Sequence, residues 1–203
     1  MLACTDQAIR EAARLIREGR LVIYPTDTLY GLGCNALDPE AVKDVFRVKK
    51  RDSSKPLSIA VCDLNMLRRY TSFDERAMRV MECFLPGPVT FVLRKRGLPN
   101  VLTGGSEKVG VRVPESKATL KLVMEARVPI ASTSANVSGR EPPETAQEAL
   151  KQLPDIDLVL DAGRLSGLPS SVIDLTTDPP MILREGRKPA WEIIPVIQEV
   201  YGL

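Results

Sequence analysis

The chain has 203 residues, with 28 Lys and Arg against 26 Asp and Glu, a net charge of +2, and 44% hydrophobic residues. That length suits one large domain able to bury about 70% of its unfolded surface without covalent staples. The balanced charge gives no bulk signal for nucleic acid, and 4% aromatics leave too few rings for a base-stacking surface. Histidine is absent, which excludes Ser-His-Asp and Cys-His nucleophilic sites and histidine-ligated metals. Cys4, Cys34, Cys62 and Cys83 form no CxxC pair; the last three sit in or beside apolar runs and are expected as small buried hydrophobes. Free thiols, no signal-peptide pattern and no long apolar segment predict a reducing, cytoplasmic setting away from membranes.

Taken in chain order, apolar residues from Ala8 to Ile16 have helical spacing, and Gly19 stops that helix. Residues 21–24 read as a short buried strand ended by Pro25. Asp38-Pro39 opens a helix whose apolar face carries Val42, Val45 and Phe46. A strand is expected at 57–61, and Asp63 and Asp74 are each placed to cap a helix. Pro86-Gly87-Pro88 breaks the chain before a strand at 89–94; another follows at 109–113, then a helix at 116–125. Residues 129–132 form a short strand entering a polar loop, and Thr145 to Glu148 has the form of a capping box. Late strands fall at 158–160, 171–175 and 181–184, the last two joined by the turn residues Thr176 to Pro179. The irregular mixture predicts a mixed-sheet α/β or α+β domain and not a doubly wound Rossmann fold.

Five segments carry polar chemistry. Pro25-Thr26-Asp27-Thr28-Leu29-Tyr30-Gly31-Leu32-Gly33 follows a buried strand and reads as a ligand-lining loop or an ordinary turn. The lax G-x-G-x-x-A match from Gly31 to Ala36 fails as a dinucleotide fingerprint, because the next helix starts too late. Lys49-Lys50-Arg51 and Lys55 are either solvated partners of a helix C-terminus or cations converging on a polyphosphate, without a P-loop. Arg112 alternates with Val111 and Val113, so it faces away from them, as a sheet-surface residue or an anion ligand. Ser132-Thr133-Ser134-Ala135-Asn136 is a donor-rich loop or a plain Ser/Asn loop. Ser170 and Arg184 should lie at the same end of an antiparallel pair.

Together these segments resemble the YrdC-like threonylcarbamoyl-AMP synthase family from about residue 8 to 187, motif by motif and in order. The family's motifs are PT(D/E)T-YGLG, K-x-R ending in K-P-L, V-R-x-P, S-A-N-x-S-G, S-T-V-x-D and R-x-G. The resemblance implies a single α/β domain over 1–203, with a large twisted mixed sheet flanked by helices around a concave basic cavity. It also implies the short form, without the linker and extra domain of longer members. The implied enzyme is a nucleotidyltransferase acting in tRNA processing. It joins L-threonine, bicarbonate and ATP, with Mg2+ accompanying the nucleotide, and a separate transferase complex passes the threonylcarbamoyl group to tRNA beside the anticodon.

Carried over residue by residue, Lys49 and Arg51 resemble the catalytic phosphate ligands. Thr26, Arg112, Ser132 and Ser170 look placed for threonine or bicarbonate, and Arg51, Lys55, Lys108, Ser134, Asn136 and Arg184 for ATP; no protein metal site is implied. Lys50, Asp52, Lys108, Ser132-Thr133 and Ser171 depart from the common pattern. Rival readings are a double-stranded RNA or tRNA-binding module, for which steep salt dependence would be diagnostic, and the carbamoyl-adenylate chemistry of hydrogenase maturation.

Overall fold

A computed structural model describes residues 1–165 and 167–202. Among the described residues, eleven strands join in one mixed sheet. The edge strand β1 (Leu2–Ala3) precedes helix α1 (Asp6–Arg17), then β2 (Val22–Pro25) and β3 (Tyr30–Asn35). Helix α2 (Pro39–Lys49), β4 (Ser58–Ala60), α3 (Leu64–Tyr70), β5 (Thr71–Ser72), α4 (Glu75–Glu82), β6 (Val89–Lys95) and β7 (Lys108–Arg112) follow. The rest is α5 (Lys117–Ala126), β8 (Ile130–Ser134), α6 (Ala146–Gln152), β9 (Leu158–Asp161), β10 (Ser171–Asp174), β11 (Met181–Arg184) and α7 (Ala190–Tyr201). Strand order is β1-β9-β2-β3-β8-β4-β7-β6-β10-β11, with β5 on the side of β6. Parallel pairs (β1·β9, β9·β2, β4·β7, β6·β10) mix with antiparallel ones, as the irregular element pattern predicted.

The helices start where their caps dictate. Asp38 accepts from the backbone of Glu40 and Ala41, Asp63 from Met66, Asp74 from Ala77, and Thr145 completes its capping box with Glu148. No described helix is long and apolar enough to cross a membrane. Cys34 is buried and Cys62 half-buried, but Cys83 is exposed, because it caps the end of α4 outside its apolar face.

One strand departs from expectation. Tyr30 to Gly33 reads as loop, yet it pairs antiparallel with both β2 and β8. Its two glycines hide the apolar alternation that marks a strand. They are needed because the fully buried Tyr24 ring lies against them. A Cβ on Gly31 would sit 3.2 Å from that ring, and one on Gly33 2.8 Å from it and 2.5 Å from Ile130. Gly33→Ala should therefore cost about 1–3 kcal/mol by overpacking, read as a lowered midpoint in urea unfolding; an unchanged midpoint would show that the ring can move aside.

Candidate active site

Period-two alternation sorts the central strands into two faces. Leu32, Ile59, Phe91, Val111 and Ile173 are buried in the core. The alternate positions (Ser132 and Ser134 on β8, Ser58 on β4, Gly110 and Arg112 on β7, Thr90 on β6) line a cleft of about 560 Å3. The volume suits a small-molecule site. Thr26, Thr28, Arg51, Ser170 and Arg184 complete its polar wall, which among the described residues includes no carboxylate.

The turn after β2 is locked from within. Thr26 Oγ1 donates to the Leu29 carbonyl (2.7 Å) and accepts from the Thr28 and Leu29 amides (3.1 and 3.2 Å). Thr28 Oγ1 lies 3.0 Å from it and accepts from Arg112 Nη1 at 3.1 Å. Arg112 Nε donates to the Gly87 carbonyl (3.2 Å), and Nη2 is paired with Asp27 Oδ1. Asp27 is thus the buried counter-ion of Arg112.

The cationic run divides by direction. Helix α2 ends in a Schellman arrangement, with the Lys50 amide bonded to Arg47 O and the Arg51 amide to Phe46 O (2.9 Å). Lys50 takes the left-handed position at φ 50°, a conformation more usual for glycine, and its side chain is exposed. Arg51 enters the cleft, held by the carbonyls of Lys55 (3.2 Å) and Pro56 (3.0 Å). Lys49 turns inward instead. It is 1% exposed, and its Nζ donates to the carbonyls of Ser134 and Asn136, the latter at 2.6 Å. Burial, aided by the Arg51 charge, pulls its pKa down to about 7.

The other expected residues also separate. Ser132 Oγ accepts from Tyr24 OH (2.7 Å), while burial pushes the Tyr24 phenol up to about 12. Ser170 Oγ is 2.8 Å from Thr90 Oγ1, and its carbonyl accepts from Arg184 Nε and Nη2 (3.1 and 2.6 Å). That contact confirms the expected meeting of β10's start and β11's end. Lys55 is exposed and lies outside the cleft wall. Lys108 also lies outside it and is paired with Asp174 at 3.0 Å. Asn136 is buried below the wall, its amide donating to the carbonyls of Val137 (2.9 Å) and Arg140 (2.7 Å). Sequence reasoning missed Thr28, Ser58 and Thr90 as wall residues. Thr28 alternates with Thr26, and Ser58 and Thr90 sit at polar positions inside apolar runs, a readable but weak signal.

A mixed sheet that opens one face as an arginine- and hydroxyl-lined cleft defines a mixed α/β domain with a candidate site on that face. Residues 14–186 match the Sua5/YciO/YrdC family model, described as "Telomere recombination", and the chain belongs to that family. A threonylcarbamoyl-AMP synthase of Pyrococcus abyssi is 43% identical over 196 residues, covering 95% of this chain and 58% of that protein. The crystal structure of P. abyssi Sua5 complexed with L-threonine superimposes with a TM-score of 0.90 at 43% identity, over 94% of this chain and 57% of that one. Escherichia coli YciO matches with a TM-score of 0.83 at 31% identity, over 90% of both chains. The chain thus spans less than two thirds of the length of the P. abyssi synthase.

Lys49 carries a pH dependence whose sign is fixed. Its folded pKa lies below the ordinary lysine value of 10.5, so between 7 and 10.5 the unfolded chain holds the proton and the folded one does not. Stability from this group rises with pH across that window, and the penalty of a buried ammonium is fully present below it. Urea unfolding at about pH 6.5 and about pH 9.5 should show this rise in the native protein and lose it in Lys49→Met. Equal slopes in the two proteins would refute the assignment.

Proposed function

We propose that the protein makes L-threonylcarbamoyl-AMP from L-threonine, bicarbonate or CO2, and ATP, releasing pyrophosphate. The observation that carries this reading is the cleft itself, where Arg51, Arg112 and Arg184 converge with Ser132, Ser134 and Ser170. It is supported by membership of a family in which the P. abyssi relative is named a threonylcarbamoyl-AMP synthase and its Sua5 structure is complexed with L-threonine.

The chemistry needs little beyond positioning. The threonine amine adds to CO2, forming the C–N bond of a carbamate and releasing one proton. A carbamate oxygen then attacks the α-phosphorus, and the bond to the bridging oxygen breaks as pyrophosphate leaves. The negative charge that shifts onto the leaving group calls for fixed cations, and Arg51 and Arg184 supply them. Burial lowers the pKa of both guanidinium groups, and for Arg184 the nearby Arg112 adds to the effect, yet both stay charged because arginine starts above 12. Arg112 and Ser132 receive the amino-acid end, and Lys49 acts through the turn it holds at Ser134 and Asn136. Lys55 and Lys108 are assigned to ATP only as movable side chains at the rim.

The cleft wall offers hydroxyls and guanidinium groups but, among the described residues, no carboxylate, and Mg2+ is proposed to arrive on the polyphosphate oxygens. The product is a mixed anhydride, so a transferase acting on tRNA must consume it. On this reading, contact between this chain and the tRNA itself is weak.

Incubation with ATP, Mg2+ and labelled bicarbonate should place label in an acyl-adenylate with L-threonine and not without an amino acid. Label incorporation independent of threonine would overturn the reading. Arg51→Ala should lower threonine-dependent pyrophosphate release about a hundred- to a thousand-fold with the fold intact by circular dichroism; near-normal turnover would remove Arg51 from the site.

A further inference from the structure

The arginines of the cleft are not electrically equivalent. Among the described residues, Arg51 bonds only to the carbonyls of Lys55 and Pro56, and Arg184 only to the carbonyl and hydroxyl of Ser170. Neither makes an ion pair among the described residues; the one carboxylate acting on Arg51 is its neighbour Asp52, which is exposed to water, so both keep most of their positive charge. Arg112 differs, because Asp27 neutralises it at contact distance, with the two side chains 13% and 7% exposed. Asp27 Oδ2 is buried with no hydrogen-bond partner among the described residues. A carboxylate buried so deeply needs an adjacent charge. Arg187 also reaches this turn, but it donates to the Asp27 main-chain carbonyl and is itself exposed.

The pairing also fixes direction. A guanidinium has five N–H donors. Arg112 gives one to Gly87 O, one to Thr28 Oγ1 and one to Asp27, which leaves one N–H on each Nη. Donors left on a neutralised guanidinium suit a carboxylate or carbamate, recognised by hydrogen bonding more than by net charge.

We infer that Asp27 is a specificity-determining residue. By cancelling and orienting Arg112 it makes the part of the cleft around that arginine a net-neutral subsite for a zwitterionic amino acid. The polyphosphate is thereby confined to the uncompensated Arg51 and Arg184. The identity of the two ligands rests on the proposed function; the partition of charge rests on the ion pairs alone. Without Asp27, three unpaired arginines would line one cleft, and a polyanion could settle on any of them.

The test uses Asp27→Asn, which keeps the size and an acceptor for Arg112 but removes the charge, with Asp27→Ala beside it. Binding is measured by calorimetry with L-threonine and with inorganic pyrophosphate. In the native protein pyrophosphate should saturate a single site and leave threonine binding almost unaffected. In Asp27→Asn it should gain a second site and compete with threonine about tenfold more strongly, an effect that salt suppresses. Asp27→Ala should in addition lose threonine affinity that the Asn variant retains. A purely structural role would move the melting temperature of these variants and leave the mode of competition alone. Unchanged pyrophosphate stoichiometry and competition in a folded Asp27→Asn protein would overturn the inference. If the native protein binds no threonine, with or without ATP, the proposed function falls, and the pyrophosphate stoichiometry still decides the role of Asp27.

Discussion

A lysine ammonium taken out of water must find acceptors, and Lys49 finds them in the carbonyls of Ser134 and Asn136, 85 and 87 positions away. The backbone closes the same junction from the other side, since the Ser138 amide donates to Lys49 O at 2.9 Å. The end of α2 and the exit of β8 are therefore one rigid unit. Arg51 leaves that unit two residues beyond Lys49, after the left-handed turn at Lys50, and enters the cleft beside Ser134. An unpaired buried cation would cost far more than these two bonds return in water. Packing and hydrogen bonding thus fix where the Arg51 charge stands, and the cleft's cationic wall depends on a lysine that does not line it.

Arg112 is held by the same logic with the charges reversed. Asp27, Thr28 and Gly87 hold Arg112, and Thr26 spends its hydroxyl closing the turn that carries Asp27. Tyr24 fills the space left by Gly31 and Gly33 and tethers Ser132, so β2, β3 and β8 present their polar atoms at one level. Opening these strands needs only polar residues at every second position of a sheet whose other face is core. The cleft is an outcome of alternation, with arginines added where backbone carbonyls or Asp27 can hold them.

Much of the fold was legible because its signals are local. The caps at Asp38, Asp63, Asp74 and Thr145 and the strands ending in Arg112 and Arg184 lie close to where propensity and alternation put them. The strand at Tyr30–Asn35 was not legible, because its glycines answer to a ring on a neighbouring strand. Helix α7 was also missed; Pro195 lies inside it, and proline reads as a breaker. For the site, residue type and family pattern brought Thr26, Arg51, Arg112, Ser132, Ser134, Ser170 and Arg184 to the cleft wall. They could not tell that Lys49 and Asn136 point into the protein, that Lys108 pairs with Asp174, or that Asp27 pairs with Arg112 across 85 residues. Long-range pairing of charges leaves no trace in local spacing.

The composition of the wall bears on how such a site could work. Histidine is absent from the chain, and no carboxylate lines the described cleft. Lys49, whose pKa near 7 would suit a base, gives its protons to carbonyls behind the wall. On the proposed reading the proton released when the amine captures CO2 passes to water or to a substrate phosphate. The protein's contribution is then to hold carbamate and α-phosphorus together and to meet the departing charge with fixed donors, a mode in which orientation alone supplies much of the rate. Placement matters more than acidity in such a site, which accounts for a cleft in which Arg51, Arg112, Ser132, Ser170 and Arg184 are each held by backbone or side-chain partners.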